Sequence, residues 1–255
     1  MPHNNSAKRI RVEVCVDTLA SALAAQNGGA ARIELCSALS EGGLTPSAGM
    51  IKQARALLSI GIFVMIRPRT GNFSYSDDDF NAMLLDITLA KQIGADGIVS
   101  GILNQDGSVD VKRTSRLVQA ANPLPFTFHR AFDCTPYPLI ALEDIIKCGC
   151  ARILTSGHQT TAIEGKELIR KLIQQSAGRI IILPGSGVNE KNVDSLIKAT
   201  GAFEVHLSGR KKLTASQNGK LATAGEAAFQ LLYETDPVVI RMVVNEANSA
   251  SGGEK

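Results

Sequence analysis

The sequence is poor in aromatic residues and carries little net charge. It contains no Trp, and Phe, Trp and Tyr together make up 4% of its 255 residues. Proteins that bind single-stranded nucleic acid stack bases on aromatic side chains, so this scarcity argues against that class of protein. The net charge of +3 is spread along the chain and forms no basic stripe for phosphates. We therefore expect no nucleic-acid partner.

Signals for membrane insertion and secretion are also missing. No apolar run approaches the roughly 20 residues that a helix needs to cross a bilayer. Residues 1–14 lack the apolar segment of a secretory signal, and the five cysteines do not form the framework of a disulfide-rich secreted protein. These absences predict a cytoplasmic protein with reduced thiols and no membrane partner.

The chain alternates short β-branched runs with longer helical patterns. The candidate strands cover residues 10–16, 31–35, 62–66, 97–100, 125–129, 151–155, 179–183 and 202–207. Helical stretches begin near residues 18, 47, 76, 110, 136, 161 and 190, and a last helix covers about 237–248. Eight strands with crossover helices predict an α/β fold, a single (β/α)₈ barrel of the TIM type. An open, doubly wound sheet is the alternative.

The barrel is expected to span residues 8–248, with residues 1–7 and 249–255 as disordered polar tails. Glycines at four joints between a helix and the next strand support this assignment. They are the Gly28-Gly29 pair, Gly94, Gly149 and Gly201. Gly after the end of a helix adopts the left-handed conformation without a steric penalty.

Several strands alternate between apolar and polar residues, whereas parallel barrel strands are usually apolar on both faces. In the first strand Val12, Val14 and Val16 share one face. The apolar faces must meet the helices, so the polar faces point into the barrel. The inward polar set is Glu13, Cys15, Asp17, Arg32, Glu34, Cys36, Arg67, Thr127, His129, Glu204 and His206. The glutamates could pair with Arg32 and Arg67 as a structural network, or serve a ligand site at the C-terminal strand ends.

The segments that follow the third and fifth strands carry further charged residues. Arg67 and Arg69 could hold a carboxylate or phosphate bidentately, or pair with the interior glutamates. His129 ends the fifth strand and is followed by Arg130 and Asp133, so His129 with a nearby carboxylate is a candidate acid/base pair.

Small residues follow the seventh and eighth strands. The turns contain Gly185, Ser186 and Gly187, and then Ser208 and Gly209. Such turns cradle phosphate in many barrels, although they also serve simply to reverse the chain.

Cys15 and Cys36 end the first two strands and are both predicted to face inward. Two thiolates there could bind a soft ion such as Cu(I); the alternative is a pair of inert buried thiols. Cys148 and Cys150 lie at a helix–strand joint and are interpreted as packing residues.

Seven phrases of the sequence resemble the CutC family. They are EVCVD (13–17), GGAARIELCSALSEGGLTPS (28–47), VMIRPR (64–69), YSDDDF (75–80), FHRAFD (128–133), ILTSG (153–157) and PGSGV (184–188). The resemblance implies a TIM-type barrel, a cytoplasmic location, a homodimer and a role in copper homeostasis. The copper ligands proposed for that family correspond to Cys15 and Cys36.

Two hypotheses follow. The first, which the family resemblance favours, is a copper homeostasis protein that binds Cu(I). The second is an enzyme that acts on a small anionic or phosphorylated metabolite by acid/base chemistry. Its candidate catalytic residues are Glu13, Glu34, Arg67, His129, Asp133 and His206, and its candidate anion-binding residues are Arg69, Arg130, Gly185, Ser186, Gly187, Ser208 and Gly209. No predicted strand carries an inward lysine for a Schiff base.

Overall fold

The computed structural model describes residues 9–213 and 233–250. Its main sheet has eight strands: β1 (Arg11–Val16), β2 (Arg32–Leu35), β3 (Gly61–Met65), β4 (Gly97–Ser100), β5 (Phe126–Phe128), β6 (Arg152–Thr155), β7 (Ile181–Pro184) and β8 (Glu204–Leu207). Each lies within two residues of its predicted position.

The eight strands pair in parallel in the order β8–β1–β2–β3–β4–β5–β6–β7. The strands at the two ends of this order, β7 and β8, lie side by side, so the sheet is a nearly closed barrel. The prediction of a (β/α)₈ barrel is confirmed. The open doubly wound sheet is wrong, because its strand order would reverse at a central switch point.

Eight helices accompany the barrel within the described ranges: α1 (Leu19–Asn27), α2 (Ala48–Leu57), α3 (Asp77–Gln92), α4 (Val111–Ala121), α5 (Pro138–Lys147), α6 (Lys166–Ser176), α7 (Val193–Thr200) and α8 (Pro237–Ala250). Short 3₁₀ helices cover Leu39–Glu41 and Arg130–Cys134. An antiparallel ribbon joins β9 (Arg210–Lys212) to β10 (Tyr233–Thr235). No helix in the described ranges is long and apolar enough to cross a membrane.

Side-chain caps explain why four helices begin where the sequence predicts. Thr18, Ser47, Ser76 and Asp110 each accept a hydrogen bond from the backbone N–H three residues later. The helix predicted near residue 161 begins instead at Lys166. Residues 161 and 164 cap each other in a separate turn that precedes it.

The four glycine joints are confirmed, since Gly29, Gly94, Gly149 and Gly201 have φ angles of 91°, 102°, 84° and 76°. At the C-terminus α8 continues to Ala250, two residues into the tail predicted from residue 249. Residues 1–7 and 251–255, where the other tail residues were predicted, lie outside the described residues.

The alternation of the strands sets two layers of side chains. The outward residues Val14, Ile33 and Ile98 are fully buried in the main apolar core together with helix residues such as Met83 and Leu172. The inward positions carry a chain of charged side chains, which are also buried. The barrel interior is therefore polar, and this property positions the candidate site.

Candidate functional site

The lower part of the barrel interior holds a buried ion-pair network. Arg32 donates through Nε to Glu13 and through Nη2 to Glu204 Oε2, the latter at 2.6 Å. Arg152 donates through Nε to Glu204 Oε2 at 2.8 Å. Both glutamates are fully buried. The predicted pairing of Arg32 with the interior glutamates is present, and Arg152 completes it. Sequence reasoning missed Arg152. The alternation in β6 resembles that in β2, because Arg152 and Leu154 share one face of the strand and Ile153 lies on the other.

The two arginines of this network enclose an aromatic ring. The guanidinium carbons of Arg32 and Arg152 lie 5.0 and 5.3 Å from the centroid of the Phe63 ring. A Cβ at Gly97 would lie 2.6 Å from the same ring. A glycine on β4 therefore leaves room for the ring, and the ring provides a cation–π surface for both cations.

Above this network, Glu13 orients His206. Glu13 Oε1 lies 2.8 Å from His206 Nδ1. Burial opposes ionisation of Glu13, but Arg32 and His206 outweigh it and lower its pKa to about 2. An ionised Glu13 accepts the Nδ1–H of His206, which leaves Nε2 on the other side of the ring, 3.8 Å from Glu34 Oε2. Burial also opposes the charge of His206, yet Cys15, Glu34 and Glu13 raise its pKa well above the usual range.

Cys15, Glu34 and His206 form one compact group at the C-terminal end of the barrel. One potential ligand atom from each lies within 4.8 Å of the other two. The strand register explains this, since Cys15 is level with Glu34 across β1 and β2, and Glu13 is level with His206 across β1 and β8. A thiol and an imidazole are ligands that suit soft metal ions.

Cys36, the other cysteine predicted to bind metal, lies outside this group. It packs in a small apolar cluster with Phe63, Met65 and Val99. Its Sγ is 3.6 Å from Glu34 Oε2. Burial, with Glu34 and Cys15 nearby, raises the pKa of the Cys36 thiol well above its usual range. Cys36 therefore borders the group and contacts it through Glu34, whereas His206 is the residue grouped with Cys15 and Glu34.

The group opens into a cavity of about 370 Å³ at the barrel mouth. The predicted site residues that line this mouth cavity are Cys15, Glu34, Arg67, His129, Arg130, Ser186, Gly187, His206 and Ser208. Phe73 and Arg210 also line it and were not predicted as site residues. Phe73 lies in the loop after β3, where no local pattern marks a side chain that turns back over the barrel.

Arg67 does not pair with the interior glutamates, so that alternative is wrong. It lies beyond the end of β3, at the level of the loops. Its Nη1 donates to the carbonyls of Glu41 and Gly43, at 2.9 and 3.0 Å, and its Nη2 donates to the carbonyl of Gly71 at 3.2 Å. Arg67 therefore fixes two loops of the mouth.

Three predicted anion-binding residues are used for structure instead. The guanidinium of Arg69 bonds within its own region, to Asp79 at 3.2 Å and to the Ser74 carbonyl at 2.6 Å. A Cβ at Gly185 would approach Leu154 Cδ1 to 2.6 Å, and one at Gly209 would approach Ile240 Cδ1 to 2.4 Å. Both glycines are required by close packing, and none of the three residues lines the mouth cavity.

The predicted acid/base pair of His129 and Asp133 is not formed. Asp133 accepts hydrogen bonds from the Thr155 hydroxyl and from Ser156, and it pairs with Arg130 Nε at 2.8 Å. Burial opposes its charge, but Thr155 and Arg130 lower its pKa. Asp133 thus positions Arg130 and the start of the loop after β6, away from His129.

His129 is a buried, neutral side chain. Its Nδ1 accepts the backbone N–H of Ala131 at 3.2 Å, so the proton of the neutral ring is on Nε2. Burial disfavours a charged ring and Arg67 repels it, which together lower the pKa of His129 to about 3. Nε2 has no hydrogen-bond partner among the described residues.

This neutral histidine predicts a loss of stability in acid. A depressed pKa contributes stability above the unfolded value of 6.5, and this contribution is lost as the pH falls towards about 3. We expect the free energy of unfolding to fall by about 2 kcal/mol more in the wild type than in His129→Gln between about pH 7 and pH 5. Urea denaturation of both proteins at several pH values measures this difference. Parallel stability curves would contradict it.

Comparison with known proteins links this chain to one family. The sequence profile of the CutC family matches residues 10–211. A human protein named copper homeostasis protein cutC homolog is 48% identical over 205 residues, which cover 80% of this chain and 75% of the human protein. A CutC family protein of Pasteurella multocida is 45% identical over 237 residues, covering 92% of this chain and 97% of that protein.

Solved structures agree on the fold. The crystal structure of CutC from Streptococcus agalactiae matches with a TM-score of 0.75 and 34% identity, covering 78% of this chain and 98% of that chain. A monomeric form of phosphoribosylanthranilate isomerase from Thermotoga maritima matches with a TM-score of 0.57 and 14% identity, covering 94% of this chain and 99% of that chain. The second likeness concerns the barrel fold alone.

Proposed function

Because this chain belongs to the CutC family, whose relatives include proteins named for copper homeostasis, we propose that it binds Cu(I) as its cargo at the barrel mouth. The ligands in this proposal are Cys15 Sγ and His206 Nε2. Glu34 lies beside them, and Cys36 contacts Glu34 from outside the group.

The observation that carries the proposal is the compact group of Cys15, Glu34 and His206, together with the contact between His206 and Glu13. Histidines that bind metals usually donate their other ring N–H to a carboxylate, which fixes the tautomer and aims the free nitrogen. The 2.8 Å contact between Glu13 Oε1 and His206 Nδ1 provides this arrangement. His206 is thus oriented before any ion arrives, and an ion that binds Nε2 must displace the proton that the raised pKa of His206 keeps on the ring.

The donor set favours Cu(I) over harder ions. Thiolate sulfur is a soft ligand that selects Cu(I), and imidazole is a common copper ligand, whereas magnesium and calcium prefer sites made of oxygen. The one carboxylate of the group, Glu34, brings negative charge beside a cation in a buried position. Cys15 is half-buried and lines the mouth cavity, so an ion entering from solvent can reach it.

A competition titration with a Cu(I) chelator tests this proposal. We expect the wild type to bind one Cu(I) per chain, with the ultraviolet charge-transfer absorption of a copper–thiolate bond. Cys36→Ala should still bind one ion, with an affinity reduced by about tenfold, because Cys36 acts only as a neighbour of Glu34. Cys148→Ala is the matched control, because it removes another buried thiol that lies outside the site. It should bind Cu(I) as tightly as the wild type.

Two results would contradict the proposal. If the wild type binds no Cu(I), the copper function fails. If Cys36→Ala loses binding altogether, the site uses the two cysteines Cys15 and Cys36 rather than Cys15 and His206.

Three other expectations stay predictions. The cytoplasmic location is compatible with five free thiols, Cys15, Cys36, Cys134, Cys148 and Cys150. The homodimer rests on the family resemblance. The hypothesis of an acid/base enzyme has lost one supporting residue pair, because His129 and Asp133 do not meet. The polar mouth cavity, on which this hypothesis also rests, is present.

A further inference from the structure

Three buried polar atoms at the barrel mouth have no hydrogen-bond partner within the described part of the chain. They are Oε1 of Glu34, Nε of Arg67 and Nε2 of His129. Most buried polar groups in proteins are paired, so each exception needs an explanation. These three belong to side chains that line the same mouth cavity. Because the three side chains line one cavity, they indicate a site for a polar ligand with two positions that accept hydrogen bonds and one that donates.

The ring of Phe73 contacts the side chains of Arg67 and His129, which carry the two unpaired donors. Its centroid lies 5.3 Å from the guanidinium carbon of Arg67 and 4.9 Å from the centroid of the His129 ring. An aromatic face attracts a cation and accepts weak hydrogen bonds, so it partly compensates the two donors. A ligand oxygen would compensate them better. Phe73 is only half-buried and belongs to a loop, so its ring can be displaced.

The charges around the cavity favour an anion. Arg67, Arg130 and Arg210 line it, and Glu34 is the one carboxylate among its described lining residues. Asp133 neutralises Arg130, and the cation of His206 is balanced by Glu13 and Glu34. Among the described residues this leaves Arg67 and Arg210 as the cations of the cavity lining that have no carboxylate partner. Clefts lined by charge of one sign raise the local concentration of ligands of opposite sign.

We infer that Arg67 and His129 bind the anionic group of a small hydroxylated carboxylate or phosphate ester in the mouth cavity. Nε of Arg67 and Nε2 of His129 donate to the anionic oxygens, and Oε1 of Glu34 accepts a hydroxyl of the same molecule. A cavity of about 370 Å³ is at the small end of ligand sites, which limits the ligand to a few carbon atoms. The two donors of this site, Arg67 and His129, lie outside the proposed metal group, and Glu34 is the one residue that the two sites share.

Calorimetric titration of metal-free protein with glycerol 3-phosphate and with glycerate tests this inference. The two probes share a hydroxylated three-carbon skeleton and differ in the anionic group. Chloride at equal ionic strength controls for non-specific screening. A second series in Cys15→Ala separates this site from the copper proposal, because anion binding should persist in that variant.

Variants of His129 provide the decisive comparison. His129→Leu removes the donor and should weaken binding about 10- to 100-fold, the usual effect of losing a hydrogen bond to a charged group. His129→Gln places an amide N–H near the position of Nε2 and should restore most of this loss. His158→Leu is the matched control: Nε2 of His158 is also buried and unpaired among the described residues, but His158 does not line the cavity.

Every outcome of these titrations either supports or overturns the proposed anion site. Saturable binding of either probe that is lost in His129→Leu and kept in His158→Leu supports the site, and the stronger probe identifies the anionic group. Failure of both probes to bind the wild type, or equal binding by His129→Leu, overturns it. If His129→Leu does not fold, proton NMR of the wild type takes its place. Addition of the probe should shift the Nε2–H resonance of His129 and not that of His158.

Discussion

Replacing Glu204 with alanine should lower the free energy of unfolding by about 3–5 kcal/mol, which is the usual result of removing one partner from a buried ion pair. Glu204 accepts from Arg32 at 2.6 Å and from Arg152 at 2.8 Å, and it is fully buried. Its removal leaves the Arg152 guanidinium without a carboxylate inside the barrel. It also leaves Arg32 with Glu13 as its single anionic partner.

Urea denaturation of the wild type and the variant measures this loss, and a surface ion pair provides the matched control. Glu143 holds Arg179 through two hydrogen bonds of 2.8 Å, but both side chains are substantially exposed. Glu143→Ala should therefore cost less than about 1 kcal/mol. Equal losses in the two variants would contradict the view that the interior network needs every one of its charges.

Replacing Cys15 with alanine should weaken Cu(I) binding by more than about 100-fold. Changes to residues that merely orient a metal ligand cost about 10- to 100-fold, so the loss of a ligand atom should exceed that range. His206→Asn should have a similar effect for a different reason. The asparagine amide can still donate to Glu13 from the position of Nδ1, but it has no atom at the position of Nε2.

The chelator competition that measures the wild type also measures these variants. Thermal unfolding of metal-free His206→Asn shows whether the variant folds. We expect a lower unfolding temperature than in the wild type, because the amide keeps the bond to Glu13 but loses the charge that pairs with Glu13 and Glu34. Loss of copper binding in a folded His206→Asn protein would assign Nε2 as a ligand. Cu(I) affinities within about tenfold of the wild type in both variants would place the copper elsewhere.

Much of this architecture was accessible from the sequence. The alternation in β1 and β2 placed Glu13, Arg32 and Glu34 inside the barrel, and all three are buried there. Cys15 lines the mouth cavity, whereas Cys36 is buried in an apolar cluster beside Glu34. Such inferences succeed because side-chain direction in a strand follows from the position of the residue alone.

The side chains that contact each other inside the barrel were harder to predict from the sequence. His206 and Glu13 are separated by 193 positions along the chain and meet through the pairing of β8 with β1. His129 and Asp133 are only four residues apart in the sequence, yet they do not pair. Proximity along the chain is a poor guide where a 3₁₀ helix turns one side chain away from the other.

The sequence by itself determined the barrel and the polar faces of β1, β2, β5 and β8, because alternation, helix caps and glycines at the joints are local properties of the chain. Only the tertiary structure decided that Cys15 lies beside His206 rather than Cys36, and that Arg67 holds loop carbonyls rather than glutamates. Closure of the barrel staggers the strands and so sets the height of each inward side chain relative to its neighbours. That stagger, together with the path of the loops, made a compact group and a cavity from residues that the sequence could place only at the same end of the barrel.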